Sequence, residues 1–419
     1  MEEWSKNKLR DFLLIPIRNG LTKPSAIRGQ GVKMIGMKEI FAMDRISSVE
    51  MDRVPVTDKE YKTSEIQQED LLFARQSLTL EGAGKCSIVL DVNEPTVFES
   101  HLIRLRVDKS KANPYFLYYY FKSPYGRFQI KTLVQQVAAA GIKGKDLVEL
   151  ELLTPSVASQ NQIVDILKSY DDKIDCNIKI NNRLHNLLQA MFKSWFVDFE
   201  PFKNGEFIES ELGEIPKGWK VSSLDKILEL KRNNIKKGDD NTLPYLPIDI
   251  IPMRSLGING FKPNEEAQSS LQTFDKDDII IGAMRVYFHR VVVAPQKGIT
   301  RSTCFVFRPI IPNSVSFCTL LCDTEEAINY ANKTSKGSTM PYAVWKGGLD
   351  SFKFVLPPQE VICNFENATK EILIHIRDGY KERIMLSNIQ DALLPKLMSG
   401  ELKMPETDLI NEMLEKGIR

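Results

Sequence analysis

An amphipathic segment occurs twice in this chain, and the second copy follows the first at a constant offset of 202 positions (386 − 184). Matching residue types recur at that offset, as in Leu184 and Leu386 or Asn186 and Asn388. Each copy is preceded by a larger and less regular block of sequence. Because internal repeats constrain an architecture more strongly than local patterns do, the chain is expected to be a duplication of one block followed by one long segment.

Both copies of the segment are predicted to be long helices that pack against each other. The apolar face of the first copy has the helical period and comprises Ile163, Leu167, Tyr170, Ile174, Ile178, Leu184, Leu187 and Met191. Gly and Pro are absent from residues 159–200, so a helix of about 35 to 40 residues, or roughly 50 to 60 Å, is expected. Its apolar face requires a partner, and the second copy, about Gln359 to Ser399, is expected to supply it in the antiparallel direction. Gly379 is expected to weaken the second helix, and Pro395 to kink or end it.

The blocks before the two helices are predicted to be mixed α/β domains. Asp277–Gly282 repeats the pattern of Glu69–Ala74, and Cys304–Arg308 repeats that of Leu102–Arg106. The aromatic run Tyr115–Phe121 is interpreted as the core-facing side of a helix, not as a platform for base stacking. The predicted fold class is α+β: two mixed α/β domains separated by two long antiparallel helices that form a coiled-coil spacer, with an internal pseudo-two-fold duplication. The predicted boundaries are 1–155 and 201–356 for the domains, 156–200 and 357–402 for the helices, and 403–419 for a C-terminal tail.

Composition limits the classes of function. The formal net charge is only +1 over 419 residues, so any binding of nucleic acid must come from local basic patches. The six cysteines form no Cys-x-x-Cys pair, which favours reduced thiols in a cytoplasmic protein. Residues 1–10 lack the apolar core of a signal peptide, and no apolar run approaches membrane-spanning length. A cytoplasmic protein is therefore expected.

The sequence carries none of the common catalytic motifs. Glu81–Cys86 is similar to a phosphate-binding loop, but the first glycine of that motif is missing and Cys86 replaces its Ser or Thr. The four histidines are scattered, and neither His-Glu-x-x-His, Gly-x-Ser-x-Gly nor a glycine-rich dinucleotide turn occurs. The Asn-Pro-Pro-aromatic motif of amino-methylating enzymes is also absent. We therefore predict no catalytic residue and no metal ligand.

Basic and small polar residues gather at corresponding places in the two blocks. Arg and Lys neutralise phosphates or contact guanine, Gln pairs with adenine, and Ser and Thr serve either role. The alternative for each single residue is a solvated loop charge, and the correspondence between the blocks is what favours DNA binding. The candidate DNA-binding residues are Arg75, Gln76, Ser77, Lys85, Lys143, Lys145, Arg285, Arg290, Arg301, Lys336, Ser338 and Thr339.

Several motifs point to one family. The stretch Leu187–Pro201, which ends in Phe-Lys-Ser-Trp-Phe-Val-Asp-Phe-Glu-Pro, closely resembles the central conserved region of type I restriction-modification specificity subunits. Leu212–Trp219 resembles the start of that family's second target-recognition domain, and Ala392–Leu402 is similar to its C-terminal conserved helix end. Asp70–Arg75 resembles a strand-plus-arginine motif of its recognition domains. The second block departs from that motif with Gly-Ala-Met-Arg at 282–285.

The resemblance implies a DNA sequence-specificity subunit. Target-recognition domains at 1–155 and 201–356 would each read one half of a bipartite, asymmetric DNA target. The helices would set the spacer and dock two methyltransferase subunits, which restriction subunits would join. S-adenosylmethionine, ATP and Mg would be bound by those partners and no cofactor by this chain, which would be non-catalytic. Partner contacts are expected from Trp195, Phe196 and Phe199, with core packing at the end of the helix as the alternative.

Two other classes of function stay open at this stage. A coiled-coil scaffold with two protein-interaction heads would show no salt-dependent binding of DNA, whereas phosphate contacts make the affinity fall with salt. A nuclease or methyltransferase with unrecognised motifs would be active as a purified chain with metal or S-adenosylmethionine.

Overall fold

The computed structural model describes residues 4–47, 49–136, 140–268 and 270–402. The predicted tail, 403–419, lies outside the described residues. The chain divides into two compact units. The first unit contains residues 1–171 and 389–419, and the second unit contains residues 172–388. Each unit is described by itself.

Two helices of 40 residues each confirm the predicted repeat. The central helix is Val157–Phe196 and the C-terminal helix is Gln359–Met398. The C-terminal helix continues through Pro395 and ends three residues later, so proline falls in the last turn, where it costs a single backbone hydrogen bond. Gly400 has a φ of +72° and follows the helix end closely. A left-handed glycine is the usual way for a helix to stop at this point.

The two long helices pair in the antiparallel direction in each unit. In the first unit, Nε2 of Gln390 donates hydrogen bonds to the carbonyl oxygen of Leu167 and to Oδ1 of Asp171, at 3.2 and 2.8 Å. In the second unit, the rings of Phe196 and Phe365 have centroids 4.8 Å apart. Rising residue numbers on one helix therefore meet falling numbers on the other, as predicted.

Gly379 marks a close approach between the paired helices of the second unit. A Cβ atom at this position would lie 2.5 Å from Oδ1 of Asn181. One turn further along, Nδ2 of Asn177 donates to Oε2 of Glu382 at 2.8 Å. The glycine that breaks the helical pattern of the second copy thus makes room for a side chain of the first copy.

The block of the first unit is built on a five-stranded sheet, with three smaller sheets and five short helices. In spatial order, the main sheet has the strands Arg18–Asn19, Leu102–Leu105, Leu71–Ala74, Cys86–Val89 and Arg45–Ile46. The smaller sheets are Arg53–Val54 with Val32–Ile35 and Thr96–Phe98; Gln135–Gln136 with Ala140–Gly141 and Gln76–Ser77; and Ser5–Lys8 with Glu151–Thr154. The helices are Met37–Ala42, Asp58–Ser64, Pro114–Lys122, Pro124–Leu133 and Gly144–Leu147.

The block of the second unit repeats this plan around a four-stranded sheet. In spatial order, its strands are Leu228–Lys231, Cys304–Pro309, Ile279–Gly282 and Val291–Val293. The smaller sheets are Asn234–Ile235 with Leu271–Phe274 and Gly298–Arg301; Lys220–Ser223 with Lys353–Leu356; and Phe207–Ser210 with Gly213–Pro216. The helices are Val315–Cys322 and Glu325–Lys333.

The same buried Asp–Arg pair supports the main sheet of each unit. Arg106 donates to both carboxylate oxygens of Asp70 at 2.8 Å, and Arg308 donates to both oxygens of Asp278 at 2.7 and 2.9 Å. The residue before each aspartate has a left-handed backbone, with φ of 70° at Glu69 and 67° at Asp277. Shared geometry of this kind, together with the paired helices, confirms the α+β fold and its internal duplication.

Each unit also attaches the central helix to other elements through a buried carboxylate. In what we call the first joint, Asp171 of the central helix accepts hydrogen bonds from Oη of Tyr119 at 2.6 Å and from Gln390. Burial and the neighbouring Asp171 raise the pKa of Tyr119, so its hydroxyl stays a donor. Tyr119 belongs to the predicted aromatic helix, whose residues 114–121 are all buried, which confirms that the run packs in the core.

The corresponding contact in the second unit, the second joint, has Asp323 as its acceptor. His185 and His289 approach its two carboxylate oxygens with Nε2, at 2.6 and 2.9 Å, and Nε2 of Gln189 donates at 3.0 Å. Burial acts to raise the pKa of Asp323, but the two histidines outweigh it and hold the pKa below its usual range. His185 and Gln189 lie on the central helix, so the carboxylate ties that helix to the block.

Candidate nucleic-acid interface

In the first unit, a strand of the main sheet runs on into a smaller sheet. We call the surface at this junction the first edge. Leu71–Ala74 continues through Arg75 into Gln76–Ser77. The backbone of Arg75 is held from two sides, since its N–H donates to the carbonyl of His101 at 2.7 Å and its carbonyl accepts from the N–H of Ile142 at 2.9 Å. These bonds fix the direction in which Arg75, Gln76 and Ser77 leave the sheet.

The side chains at this edge are available to a ligand. Gln76, Lys143 and Lys145 are exposed, and Arg75 and Ser77 are half-buried. Ile142, which bonds to the backbone of Arg75, directly precedes Lys143. The structure therefore brings together five candidates that are separated by up to 70 positions in the sequence (145 − 75).

Lys85 is engaged within the fold, and its place among the DNA-binding residues stays a prediction. Its Nζ lies 2.9 Å from Oδ1 of Asp44 and donates to the carbonyl of Phe41 at 3.3 Å. Burial acts to raise the pKa of Asp44, but Lys122 and Lys85 together lower it below its usual range. The charge of Lys85 is thus used within the fold and is not held at the edge.

The second unit forms an equivalent edge with the same backbone contacts. Ala283 takes the place of Arg75, since its N–H donates to the carbonyl of Thr303 at 2.9 Å and its carbonyl accepts from the N–H of Ala343 at 2.8 Å. Met284 then corresponds to Gln76 and Arg285 to Ser77. The departure from the strand-plus-arginine motif is therefore a displacement of the arginine by two positions along the edge.

Four predicted residues of the second unit cluster at this edge. Arg285 has a φ of +50° and is half-buried, and its N–H donates to the carbonyl of Pro341 at 2.7 Å. That contact places the loop carrying Lys336, Ser338 and Thr339, all exposed, beside the arginine. These four residues, which were chosen as candidates from sequence alone, thus lie on one surface.

Arg290 and Arg301 have a different character. Arg290 donates to the carbonyl of Ile248, and its guanidinium lies over the ring of Phe288 at 5.5 Å. These contacts hold Arg290 within the fold, and its contact with DNA stays a prediction. Arg301 ends the strand Gly298–Arg301 and is half-buried. Within the described ranges, Nε of each arginine is buried without a hydrogen-bond partner.

A cavity of about 520 Å³ opens at the second edge. The predicted residue Lys336 lines it. Arg232, Met284, Tyr342, Trp345 and Lys346, which were not among the candidate residues, line it as well. Three of its lining side chains are cationic and none is a carboxylate, so the local charge is positive in a chain whose net charge is near zero. No local pattern marks Tyr342 or Lys346, because their place depends on a strand contact with Met284 across 58 positions (342 − 284).

The comparisons with known proteins all identify type I restriction-modification specificity proteins as similar to this chain. Residues 1–186 match the family model described as the type I restriction modification DNA specificity domain. The MjaIX specificity subunit of Methanocaldococcus jannaschii is 24% identical over 97% of this chain and 95% of its own length. The EcoKI specificity subunit of Escherichia coli K12 is 25% identical over 53% of this chain and 51% of its own length. The crystal structure of a type I S subunit from M. genitalium has a TM-score of 0.57 at 15% identity, over 97% of both chains.

The chain is similar to type I restriction-modification specificity subunits over nearly its whole length, and residues 1–186 match their DNA specificity domain. These similarities confirm the resemblance carried by the stretch Leu187–Pro201 and support a role in DNA sequence specificity. In the part of the chain that the structure describes, no group of acidic, histidine or cysteine side chains could hold a metal ion. Among the same residues, no helix is long and apolar enough to cross a membrane.

The aromatic side chains at the end of the central helix pack inside the second unit. Phe196 is buried, with ring centroids 4.9 Å from Phe317 and 4.8 Å from Phe365. Trp195 and Phe199 are partly buried against the same core. The geometry favours the core-packing alternative over partner contacts for all three rings.

Proposed function

We propose that this specificity subunit reads a bipartite, asymmetric DNA target, with one half read by each recognition edge. The blocks at 1–155 and 201–356 would be the two target-recognition domains. The observation that carries the proposal is the pair of equivalent edges. Both leave a sheet supported by a buried Asp–Arg pair, and both hold their backbone with the same two hydrogen bonds, yet their side chains differ. Equal geometry with different chemistry is what the recognition of two unlike half-sites requires.

The paired helices are proposed to set the spacer between the half-sites and to dock two methyltransferase subunits. Support comes from the antiparallel pairing of two 40-residue helices. A helix rises about 1.5 Å per residue, so the number of residues in the paired helices would set the length of the spacer between the half-sites, whatever the DNA sequence of that spacer. Restriction subunits would join the same complex.

The chemistry is proposed to reside on the partners. S-adenosylmethionine would be bound by the methyltransferase subunits, and ATP and Mg would serve the restriction subunits. This chain would bind no cofactor and would itself be non-catalytic. The expectation of a cytoplasmic location stays a prediction.

Mapping of adenine methylation across a genome tests the proposal. Cells carrying the candidate methyltransferase would be compared with and without this chain. A motif of two parts with a constant gap that disappears with the chain is the expected result. Methylation that is unchanged when the chain is deleted would contradict a role in specificity.

Insertion of one helical turn tests the spacer. About four residues would be added to the central helix and to the C-terminal helix at positions that face each other in one unit, so that their pairing is preserved. The expected result is a changed gap with both half-sites retained. An unchanged gap in a complex that still methylates DNA would contradict the proposed role of the helices.

A further inference from the structure

Three residues of the first edge form a row across its small sheet. Gln76 lies directly opposite Gly141, and Gly141 lies directly opposite Gln135 on its other side. Residues directly opposite each other in antiparallel strands project from the same face of a sheet. Both glutamines are exposed. Neighbouring strands lie about 4.8 Å apart, so the two glutamines stand roughly 10 Å apart with a glycine between them.

Gly141 keeps the centre of this row open. A Cβ atom there would lie 3.1 Å from the carbonyl oxygen of Arg75 and 3.5 Å from Cγ of Gln76. A side chain at this position would therefore press on the carbonyl oxygen of Arg75, contact the glutamine and fill the space between the two amides. With glycine in place, the edge of a base pair has access to both amide groups.

The second edge has the same row with different side chains. Met284 is paired with Tyr342, and Tyr342 is paired with Lys336. The N–H of each member of the Lys336–Tyr342 pair donates to the carbonyl of the other at 2.9 Å. All three side chains line the cavity of about 520 Å³. Position by position, Met284 replaces Gln76, Tyr342 replaces Gly141 and Lys336 replaces Gln135.

We infer that these two rows are the specificity-determining residues of the two half-sites. The first row reads an adenine, and the second row reads a guanine. The inference rests on the proposed function and adds to it the base class that each half-site contains. It also assigns Gln135 and Tyr342, which neither the sequence patterns nor the family resemblance singled out.

The chemistry of the first row fits adenine. A glutamine amide offers a donor and an acceptor together and pairs with N7 and the N6 amino group of adenine. Two amides on one face, with an open centre, present this combination twice. Arg75 directly precedes Gln76, and Lys143 and Lys145 closely follow Gly141 in the chain, so these cations are suited to phosphate contacts beside the row.

The chemistry of the second row fits guanine. Lys336 has donors only, which match the two acceptors, O6 and N7, that guanine presents in the major groove. Met284 and Tyr342 offer apolar surface and no amide, so the row cannot form the paired contact with adenine. Arg232 and Lys346 of the same cavity add positive charge.

Reciprocal exchange of the rows tests the inference in the complete complex of this chain with its methyltransferase. One variant carries Gln76→Met and Gln135→Lys, and the other carries Met284→Gln and Lys336→Gln. Gly141 is left in place because of the close carbonyl of Arg75. The first variant is expected to lose preference for adenine at one position of one half-site by on the order of ten- to a hundredfold. The other half-site and the gap are expected to stay unchanged, and the second variant is expected to alter only the other half-site, at a guanine.

Gln68→Ala is the matched control, because Gln68 is an exposed glutamine of the same unit that lies away from the row. Its methylation motif should equal that of the wild type. The single changes Gln76→Met and Lys336→Gln are interpreted in the same way if a double variant does not assemble. Competition of duplexes with each base at each position for the purified complex measures the preference without methylation.

The outcomes separate the inference from the proposed function. Wild-type methylation that does not depend on this chain would overturn the proposed function. A wild-type motif that depends on the chain, with every position unchanged in both reciprocal variants, would overturn the assignment of the rows alone. A change in both half-sites from one variant would also overturn it.

Discussion

The two units hold equivalent edges but attach the central helix with different chemistry. In the first joint, Asp171 accepts from Tyr119 and Gln390, and the guanidinium of Arg45 lies 3.9 Å from its carboxylate. In the second joint, Asp323 is approached by the ring nitrogens of two histidines. The duplication has therefore preserved the backbone of the edges and the use of a buried carboxylate, whereas the groups around the carboxylate and the side chains of the edges have diverged.

Loss of the buried aspartate under each edge should have the largest effect. Asp70→Ala should lower the free energy of unfolding of the first block by about 3 to 5 kcal/mol, because the half-buried Arg106 loses both hydrogen bonds to Asp70 and keeps only the longer carboxylate contact to Glu65, at 3.4 Å. Asp278→Ala should cost less, since the side chain of Arg308 is 37% exposed and that of Arg106 is 12% exposed. Native-state hydrogen exchange of Leu71–Ala74 and Ile279–Gly282 measures the two losses separately.

Asp52→Ala is the control for this pair of variants. Asp52 is 60% exposed and forms a surface ion pair with Arg28, so its loss should cost less than about 1 kcal/mol. Equal losses from Asp70→Ala and Asp278→Ala would break the comparison between the two supports.

The second joint should depend on pH through its carboxylate. Asp323→Asn should lower the free energy of unfolding of the second unit by about 1 to 3 kcal/mol at neutral pH, because buried histidine donors lose a charged acceptor. The pKa of Asp323 is depressed in the fold, so its contribution is present above the usual carboxyl pKa, about 3.9, and is lost as the pH falls through the folded value.

Unfolding of wild type and Asp323→Asn should therefore converge in acid. Thermal unfolding followed by near-ultraviolet circular dichroism, at pH 7 and at successively lower pH values below about 3.9, measures how the difference narrows. A difference that is as large in acid as at neutral pH would show that the variant acts through packing and not through the charge of the carboxylate.

Substitution of Gly379 tests the packing between the two long helices, and its effect on stability should be smaller. Alanine should gain about 1 kcal/mol in helix propensity, but its Cβ would meet Oδ1 of Asn181, and such crowding costs about 1 to 3 kcal/mol. Gly379→Ala should therefore lower the thermal midpoint slightly. Addition of Asn181→Ala removes the clash and should raise the midpoint above that of the single variant. Two independent, additive effects would indicate that the helices do not pack at this point.

The smallest expected effect is a difference in the salt dependence of DNA binding between variants of Arg75 and Lys85. Arg75→Ala in the assembled complex should reduce the slope of log affinity against log salt by about 1, as expected for one phosphate contact. Lys85→Ala should leave that slope unchanged, because Lys85 pairs with Asp44. Equal slopes for the two variants would remove the distinction between them.

The features that the sequence predicted are those that depend on local pattern. A helical period without glycine or proline over residues 159–200 predicts the central helix, since backbone hydrogen bonds are local. The strands that follow Asp70 and Asp278 were predicted from sequence, because a change from acidic to apolar residues at the start of a strand is a short local pattern. Both features lie within one segment of the chain.

The features that the sequence did not predict depend on contacts between distant segments. Pairing of Met284 with Tyr342 and of Gln76 with Gly141 decides which side chains share an edge, and register over such distances is set by the whole fold. Lys85 could not be distinguished from a solvent-facing lysine, because Asp44 is 41 positions away (85 − 44). The rings of Trp195 and Phe199 pack on a core whose other residues come from distant segments of the second unit.

Exchange of one block tests the central claim most directly. Residues 1–155 would be replaced by the corresponding block of another type I specificity subunit, and adenine methylation would be mapped in cells that contain the cognate methyltransferase. We predict that one half of the motif changes to that of the donor, while the other half and the gap remain. A motif that is unchanged, or one that changes in both halves, would contradict the division of the target between the two recognition edges.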